Sequence, residues 1–231
     1  MAKNAPQRRK QQHQQRETNW VVIGGLIAIG VLVLAGLLYL ALRPSASRVV
    51  QTLAEYCQEN SDRCIFMGEA EAPITMVEVS DFGCIHCQAF HAETATPLKE
   101  QFADTGDLYW VVLPYALSAS TVPAAASGMC ANEQDKYFDY ANTLWAIEPP
   151  ATRLSAEGFR QAATEVGLDI DKFTSCLDSG RYLNTVNSNR EAARNVGVTG
   201  TPTFFVNEQE VNGAQPIAAF TQIFNSILDA Q

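Results

Sequence analysis

The sequence predicts an α/β domain, running βαβ, a helical block, then ββα, behind one apolar segment of membrane-crossing length. Three observations predict it. Two short β-branched runs bracket a helix-like pattern between residues 74 and 113. Residues 118–196 offer helical patterns and no convincing strand. Residues 203–228 return to strand, turn, strand and amphipathic helix.

The apolar segment comes first. Residues 20–42 are 23 positions without a charge, and at about 1.5 Å per residue a helix of that length crosses a hydrocarbon core of roughly 30 Å. Lys3, Arg8, Arg9, Lys10 and Arg16 precede it against Glu17 alone, and Arg43 and Arg48 follow. That bias keeps the N-terminus in the cytoplasm and puts the rest of the chain outside. A cleaved secretory signal, with Ser45, Ala46 and Ser47 as its small-residue site, is the competing reading, although a signal's apolar region is normally about 7–15 residues. Both readings export the domain. The expected division is a basic, Gln-containing tail (1–19), an anchor (20–42), a stalk (43–65) and the α/β domain (66–231). The chain's net charge is -9, and its one basic excess lies in the tail. A domain that acidic does not suit nucleic acid, whose phosphates demand positive charge.

Within the stalk a short helix is expected over residues 49–58, and Cys57 and Cys64 are close enough in sequence to close a small loop in an oxidising compartment. Two unpaired thiols are the alternative, since sequence alone does not assign connectivity. At 231 residues the chain can bury a core without disulfides, so its six cysteines are not a small-scaffold framework.

Pro73 introduces the first strand, residues 74–80, which Asp81-Phe82-Gly83 ends. Residues 84–103 follow as a helix that Pro97 should kink or interrupt. A turn at 104–107 with Gly106 leads to the second strand, 108–113, so the unit is a parallel βαβ. Helices are expected at 118–132, 135–147, 155–166, 171–178 and 181–196, separated by Pro149-Pro150, Gly167 and Gly180. Ser155 is a suitable N-cap, and Phe159, Ala162, Ala163 and Val166 form one apolar face. Thr203-Phe204-Phe205-Val206 and residues 209–212 read as paired strands. A last helix uses Ile217, Phe220, Phe224 and Ile227.

The chemistry concentrates at Cys84-Ile85-His86-Cys87, between the first strand and the helix. A thiolate is the nucleophile in disulfide exchange, and a helix N-terminus stabilises one. Cys84 is therefore the expected nucleophile, His86 its electrostatic aid, and Cys87, one turn further in, the more buried resolving thiol. The same spacing makes half a zinc site. His91 could supply a third ligand, but no second Cys-x-x-Cys or His-x3-His pair completes it, so no metal is expected and His91 reads as a surface histidine. Glu78 shares the parity of Met76 and Ser80. Beneath the buried cysteine its carboxyl would have a raised pKa and could relay a proton to or from Cys87; facing solvent it would be an ordinary strand residue. Gly200-Thr201-Pro202-Thr203 opens the third strand as a turn whose Thr201–Pro202 bond is a usual place for a cis peptide.

Together these residues resemble the thioredoxin superfamily, specifically its DsbA-like branch. The likeness rests on Val77-Glu78-Val79-Ser80-Asp81-Phe82 running into Cys84 and Cys87, on the helical insertion at about 118–196, and on residues 197–206 around Pro202. The resemblance implies a thioredoxin fold over about residues 66–229. It makes Glu78 the acidic proton relay and Pro202 a cis proline against the active cysteines. Thr201 and Ile85 become substrate-contacting positions. It also implies that Cys130 and Cys176, both in the insertion, pair with each other; two inert buried thiols are the alternative. DsbA-like oxidases have proline after the first cysteine, whereas this chain has Ile85, which leaves the direction of the reaction open.

The expected function is a dithiol oxidase that introduces disulfides into exported proteins with cysteine thiols, reoxidised by a membrane quinone-linked partner. It would be a monomer held at the membrane by its own anchor, and would need no cofactor beyond the redox-active Cys84/Cys87 disulfide. A reductase, or less readily an isomerase, of the same fold is the first alternative. A non-catalytic anchored peptide-binding or chaperone module is the second.

Overall fold

Short runs rich in Val, Ile and Phe form the sheet on which the molecule is organised, and its central strands are buried on both faces. The computed structural model describes residues 23–26, 28–34, 52–207 and 209–230. Five strands lie in the order β1-β3-β2-β4-β5: β1 is Ile65–Met67, β2 Ile74–Ser80, β3 Leu108–Pro114, β4 Thr203–Val206 and β5 Gln209–Asn212. Central β2 runs parallel to β3, pairing Glu78 with Val112, and antiparallel to β4, pairing Glu78 with Phe204.

Alternation along these strands divides the core into two layers. Ile74, Met76, Trp110, Val112, Phe204 and Val206 face one side, and Val77, Val79, Val111 and Leu113 the other. Helix α2 packs on the first side as a continuous but irregular rod made of Ile85–Phe90, His91–Ala95, Thr96–Leu98 and Lys99–Ala103. Its second and fourth segments are widened to π geometry. Pro97 therefore does not break the helix; the wide turns on either side absorb its missing N–H and its ring. The terminal helix α9, Ile217–Leu228, lies on the same side. There Phe90 meets Phe204 with centroids at 4.6 Å, and Phe204 meets Phe220 at 5.0 Å. Each such ring taken out of water stabilises the fold by roughly 1.5–3 kcal/mol.

The insertion is helical as expected: α3 Val122–Asn132, α4 Tyr137–Ala146, a short α5 Pro150–Arg153, α6 Ala156–Glu165, α7 Ile170–Ser179 and α8 Leu183–Asn195. Ser155 caps α6 by accepting the Gly158 N–H at 3.2 Å. Cys130 on α3 and Cys176 on α7 form a disulfide with Cα atoms 5.8 Å apart.

The segment expected to be a stalk is instead packed into the domain from residue 53 onward. Helix α1, Leu53–Glu59, starts with a Thr52/Glu55 capping box and buries Leu53 and Cys57. Cys57 is bonded to Cys64, and both cysteines lie in the second core layer with Val77 and Val111. Leu53 and Cys57 are four residues apart, so they share one helical face, and that face is what docks. Strand β1 follows at once, antiparallel to β3.

Residues 1–49 and 50–231 are separate units. In the first, residues 23–26 and 28–34 are helical, with Leu26, Ile29 and Leu32 exposed. Among the described residues no helix is long and apolar enough to cross a membrane. The rest of the expected 20–42 span, and the 1–19 tail, lie outside the described residues.

Candidate active site

The site is built where β2 ends. Asp81 is fully buried and its carboxylate accepts three hydrogen bonds: from the Gly83 N–H at 2.7 Å, the Leu117 N–H at 2.6 Å and the Thr121 hydroxyl at 2.8 Å. Its carbonyl accepts the Cys84 N–H at 2.9 Å. These bonds clamp the turn that presents Cys84 to the loop before α3. Gly83 is required there, because a Cβ would sit 2.5 Å from Thr121 Cγ2.

Cys84 is the N-cap of α2, with extended backbone and its carbonyl accepting the Gln88 N–H at 3.1 Å. Unpaired N–H groups of the first helical turn thus point at its sulfur. Cys84 is half-buried and Cys87 fully buried, and both are free thiols. From the other end of the chain, Thr201–Pro202 is a cis peptide, and the Thr201 carbonyl accepts the Cys84 thiol at 3.2 Å. Pro202 is buried beneath, its own carbonyl accepting the Gly213 N–H at 2.9 Å. Ile85 is 70% exposed beside Cys84, and Leu117 is also exposed, so the rim is apolar. Gln88, just past Cys87, ties this helix to the insertion by donating to the Trp145 carbonyl and to Glu148, both at 2.8 Å.

The two thiols are driven apart electrostatically. The Cys87 side chain, hydrogen-bonded to Cys84, is the largest cause holding Cys84 at about 5; burial opposes it, and Thr201 and the backbone N–H groups of Cys87 and His86 add to it. His86 itself is exposed, so what it lends is its backbone N–H. Burial, with the neighbouring Cys84, pushes Cys87 well above the ordinary thiol value.

Glu78 is fully buried. Its Oε1 lies 2.7 Å from His91 Nε2 and also accepts the Ser80 hydroxyl, while Oε2 accepts the Trp110 indole N–H at 2.9 Å. Burial is the largest influence and would push its pKa up, but His91, Ser80 and Trp110 together outweigh it and leave the carboxyl below its ordinary value. The expectation of a raised pKa is therefore corrected: the pocket is apolar, yet it is furnished with a charge partner and two donors.

His91 is the residue that sequence reasoning placed wrongly. Far from lying on the surface, it is 7% exposed, paired with Glu78 and stacked on Trp145 at 3.8 Å. One signal was available: His91 follows the buried Cys87 by four residues and so shares its helix face. Asp81 was read only as a strand terminator, and its clamping role depends on contacts 36 and 40 residues away. Cys57, Cys64, Cys130 and Cys176 stand apart from the thiol site as the two bonded pairs.

With this geometry in view, comparisons place the chain among known proteins. The family matched over residues 60–226 is described as Thioredoxin. The chain is 31% identical over 168 residues to the Na(+)/H(+) antiporter NhaA 3 of Salinispora tropica, a match covering 69% of this chain and 24% of that protein. It is 23% identical over 199 residues to "Probable disulfide bond formation protein D" of Bacillus anthracis, covering 83% of this chain and 89% of that one. The chain spans less than two thirds of the length of the first curated relatives it matches, about a quarter for the antiporter. The crystal structure of Chlamydia trachomatis DsbA superposes with a TM-score of 0.66 at 18% identity, covering 72% of this chain and 92% of that chain. A family match across most of the chain, on a DsbA-like fold that brings the Cys84 thiol to the carbonyl of Thr201 before cis-Pro202, means that this chain belongs to the thioredoxin family.

Proposed function

We propose that this protein is an extracytoplasmic thiol-disulfide oxidoreductase that donates its Cys84–Cys87 disulfide to exported proteins carrying cysteine thiols. The observation that carries the reading is the contrast between Cys84, half-buried with its thiol held at about 5, and Cys87, buried with its thiol pushed up. A substrate thiolate attacks Cys84 Sγ, the Cys84–Cys87 bond breaks, and Cys87 leaves as a thiolate and takes up a proton. A second substrate thiolate then attacks the substrate sulfur of the mixed disulfide and releases the Cys84 thiolate. The substrate loses two electrons and the enzyme gains them.

A stabilised Cys84 thiolate is a good leaving group and lowers the energy of the reduced enzyme, which makes the disulfide form an oxidant. Glu78 serves as proton relay to Cys87, and Thr201, Pro202 and the exposed Ile85 meet the substrate backbone. In this reading residues 20–42 anchor a monomer whose domain lies outside the cytoplasm, and a membrane quinone-linked partner reoxidises it.

The test is the Cys84/Cys87 equilibrium against glutathione, together with oxidation of a reduced dithiol peptide. A potential clearly more oxidising than thioredoxin's, about -270 mV, is expected, with peptide oxidation abolished in Cys84→Ser. A potential as low as thioredoxin's would overturn the oxidase direction and leave a reductase of the same fold. That second reading is favoured by Ile85, which stands where DsbA-like oxidases carry proline.

A further inference from the structure

His91 is a buried imidazole that uses only one of its nitrogens. Nε2 lies 2.7 Å from Glu78 Oε1, whereas Nδ1 is buried and has no hydrogen-bond partner among the described residues. The ring is not free to turn and exchange them. Trp145 stacks on it at 3.8 Å, with planes 15° apart, and Phe90 abuts it edge-on at 5.2 Å.

Beside this ring is a crevice of about 20 Å³ lined by His91, Ala95, Thr96, Lys99, Trp110 and Asn142, among others. Such a volume holds about one water. Thr96 and Asn142 are exposed, so the crevice reaches the surface. On the inner side, Glu78 is held by the Trp110 indole, which lies in the same buried core layer as Cys87 and Tyr137. The ring therefore stands between an enclosed carboxylate and a water-sized opening.

We propose that His91 is the proton conduit between Glu78 and solvent, taking a proton at one ring nitrogen and releasing it from the other. The proposal rests on the disulfide-exchange reading above and deepens it. When a substrate thiolate opens the Cys84–Cys87 bond, Cys87 leaves as a thiolate. One proton passes to it by way of Glu78, and one proton enters His91 at the crevice to replace it. In the reverse step Cys87 sheds the proton along the same route, and no electron passes through the ring. Glu78 is held as an anion by three donors, so it carries a proton only in transit and needs an outlet beside it. His91 acts through Glu78 and touches neither sulfur; it is a positioning residue.

Two variants of the full chain test this by stopped-flow exchange with glutathione and a dithiol peptide. His91→Gln keeps an N–H for Glu78 but cannot pass a proton between two ring nitrogens. Asn142→Trp, at the exposed rim, caps the crevice without altering the Glu78–His91 pair. Both should slow the Cys87-dependent step at least about tenfold, below the full range of positioned proton transfer. The equilibrium constant with glutathione should change by less than about threefold, because a conduit alters rates and not end states. The solvent deuterium isotope effect on that step should rise in both. A wild-type rate in either folded variant overturns the proposal, and if His91→Gln does not fold, Asn142→Trp decides alone. Absence of exchange in the wild-type protein would overturn the redox reading and the conduit together, a result told apart because the variants then have no rate to lose.

Discussion

The Thr201 carbonyl accepts the Cys84 thiol at 3.2 Å, across a separation of 117 residues, and the hydroxyl of the same threonine is buried without a hydrogen-bond partner. The loop before β4 thus offers the sulfur an acceptor when it is protonated and a donor when it is not. One residue thus meets Cys84 through its carbonyl and, through its side chain, helps to lower the thiol's pKa.

Thr201→Val keeps the β-branched shape and removes the donor. The Cys84 pKa, about 5 in the wild type, should rise by roughly one unit, the scale of one lost hydrogen bond to a charged group. The equilibrium with glutathione should move toward the disulfide form, because the reduced state loses stabilisation. Titration of the ultraviolet thiolate absorbance checks this, and an unchanged midpoint would show that the hydroxyl does not reach the sulfur.

Gly83→Ala should disturb the active-site turn, because the new Cβ would meet Thr121 Cγ2 at 2.5 Å. Thr121 cannot rotate away freely, since its hydroxyl is held by Asp81 at 2.8 Å. A cost of about 1–3 kcal/mol is expected, typical of overpacking. The double variant Gly83→Ala with Thr121→Ser lacks the offending methyl but keeps the hydroxyl, so it should regain most of that loss in urea melts. Additive losses in the double-mutant cycle would refute the clash as the cause.

Much of this architecture was legible because it is local. β2, β3 and β4 announce themselves as short apolar runs rich in β-branched and aromatic residues, and α9 by the 3.6-residue spacing of Ile217, Phe220, Phe224 and Ile227. Cys84 and Cys87 stand out by spacing at a strand-helix junction, and Glu78 by being charged in an apolar run. What stayed hidden depends on packing between distant segments. β1 is three residues long, too short for a period to show. His91 keeps the regular four-residue spacing from Cys87, but its meaning comes only from Glu78 on the β2 strand it packs on. Asp81 reads as punctuation until Leu117 and Thr121 fold onto it.

The two disulfides should differ in worth. Cys130–Cys176 closes a separation of 46 residues and Cys57–Cys64 one of 7, so chain entropy favours the former by about 1.5–2 kcal/mol. Replacing each pair with serine should therefore lower the urea midpoint more for Cys130 and Cys176. The reverse order would mean that the docking of α1, rather than loop closure, dominates.

Reduction should make stability depend on pH in a defined direction. In the reduced protein Cys84 is held at about 5 against an ordinary value of 9.0. Between those values the unfolded chain binds a proton that the folded chain has shed, so the stability of the reduced fold rises as pH rises from about 5 to about 9. Cys87 shifts the other way, to well above 9.0; it binds its proton in both states below that value and subtracts stability only at higher pH. The oxidised protein has neither titration, while Glu78 and the exposed carboxylates are common to both forms and largely cancel in the difference. Melting both forms at about pH 5.5, 7 and 8.5 should therefore show the reduced form gaining on the oxidised form at each step. A gap that stays flat across that range would mean that Cys84 is an ordinary thiol, and would remove the basis for reading the protein as an oxidant.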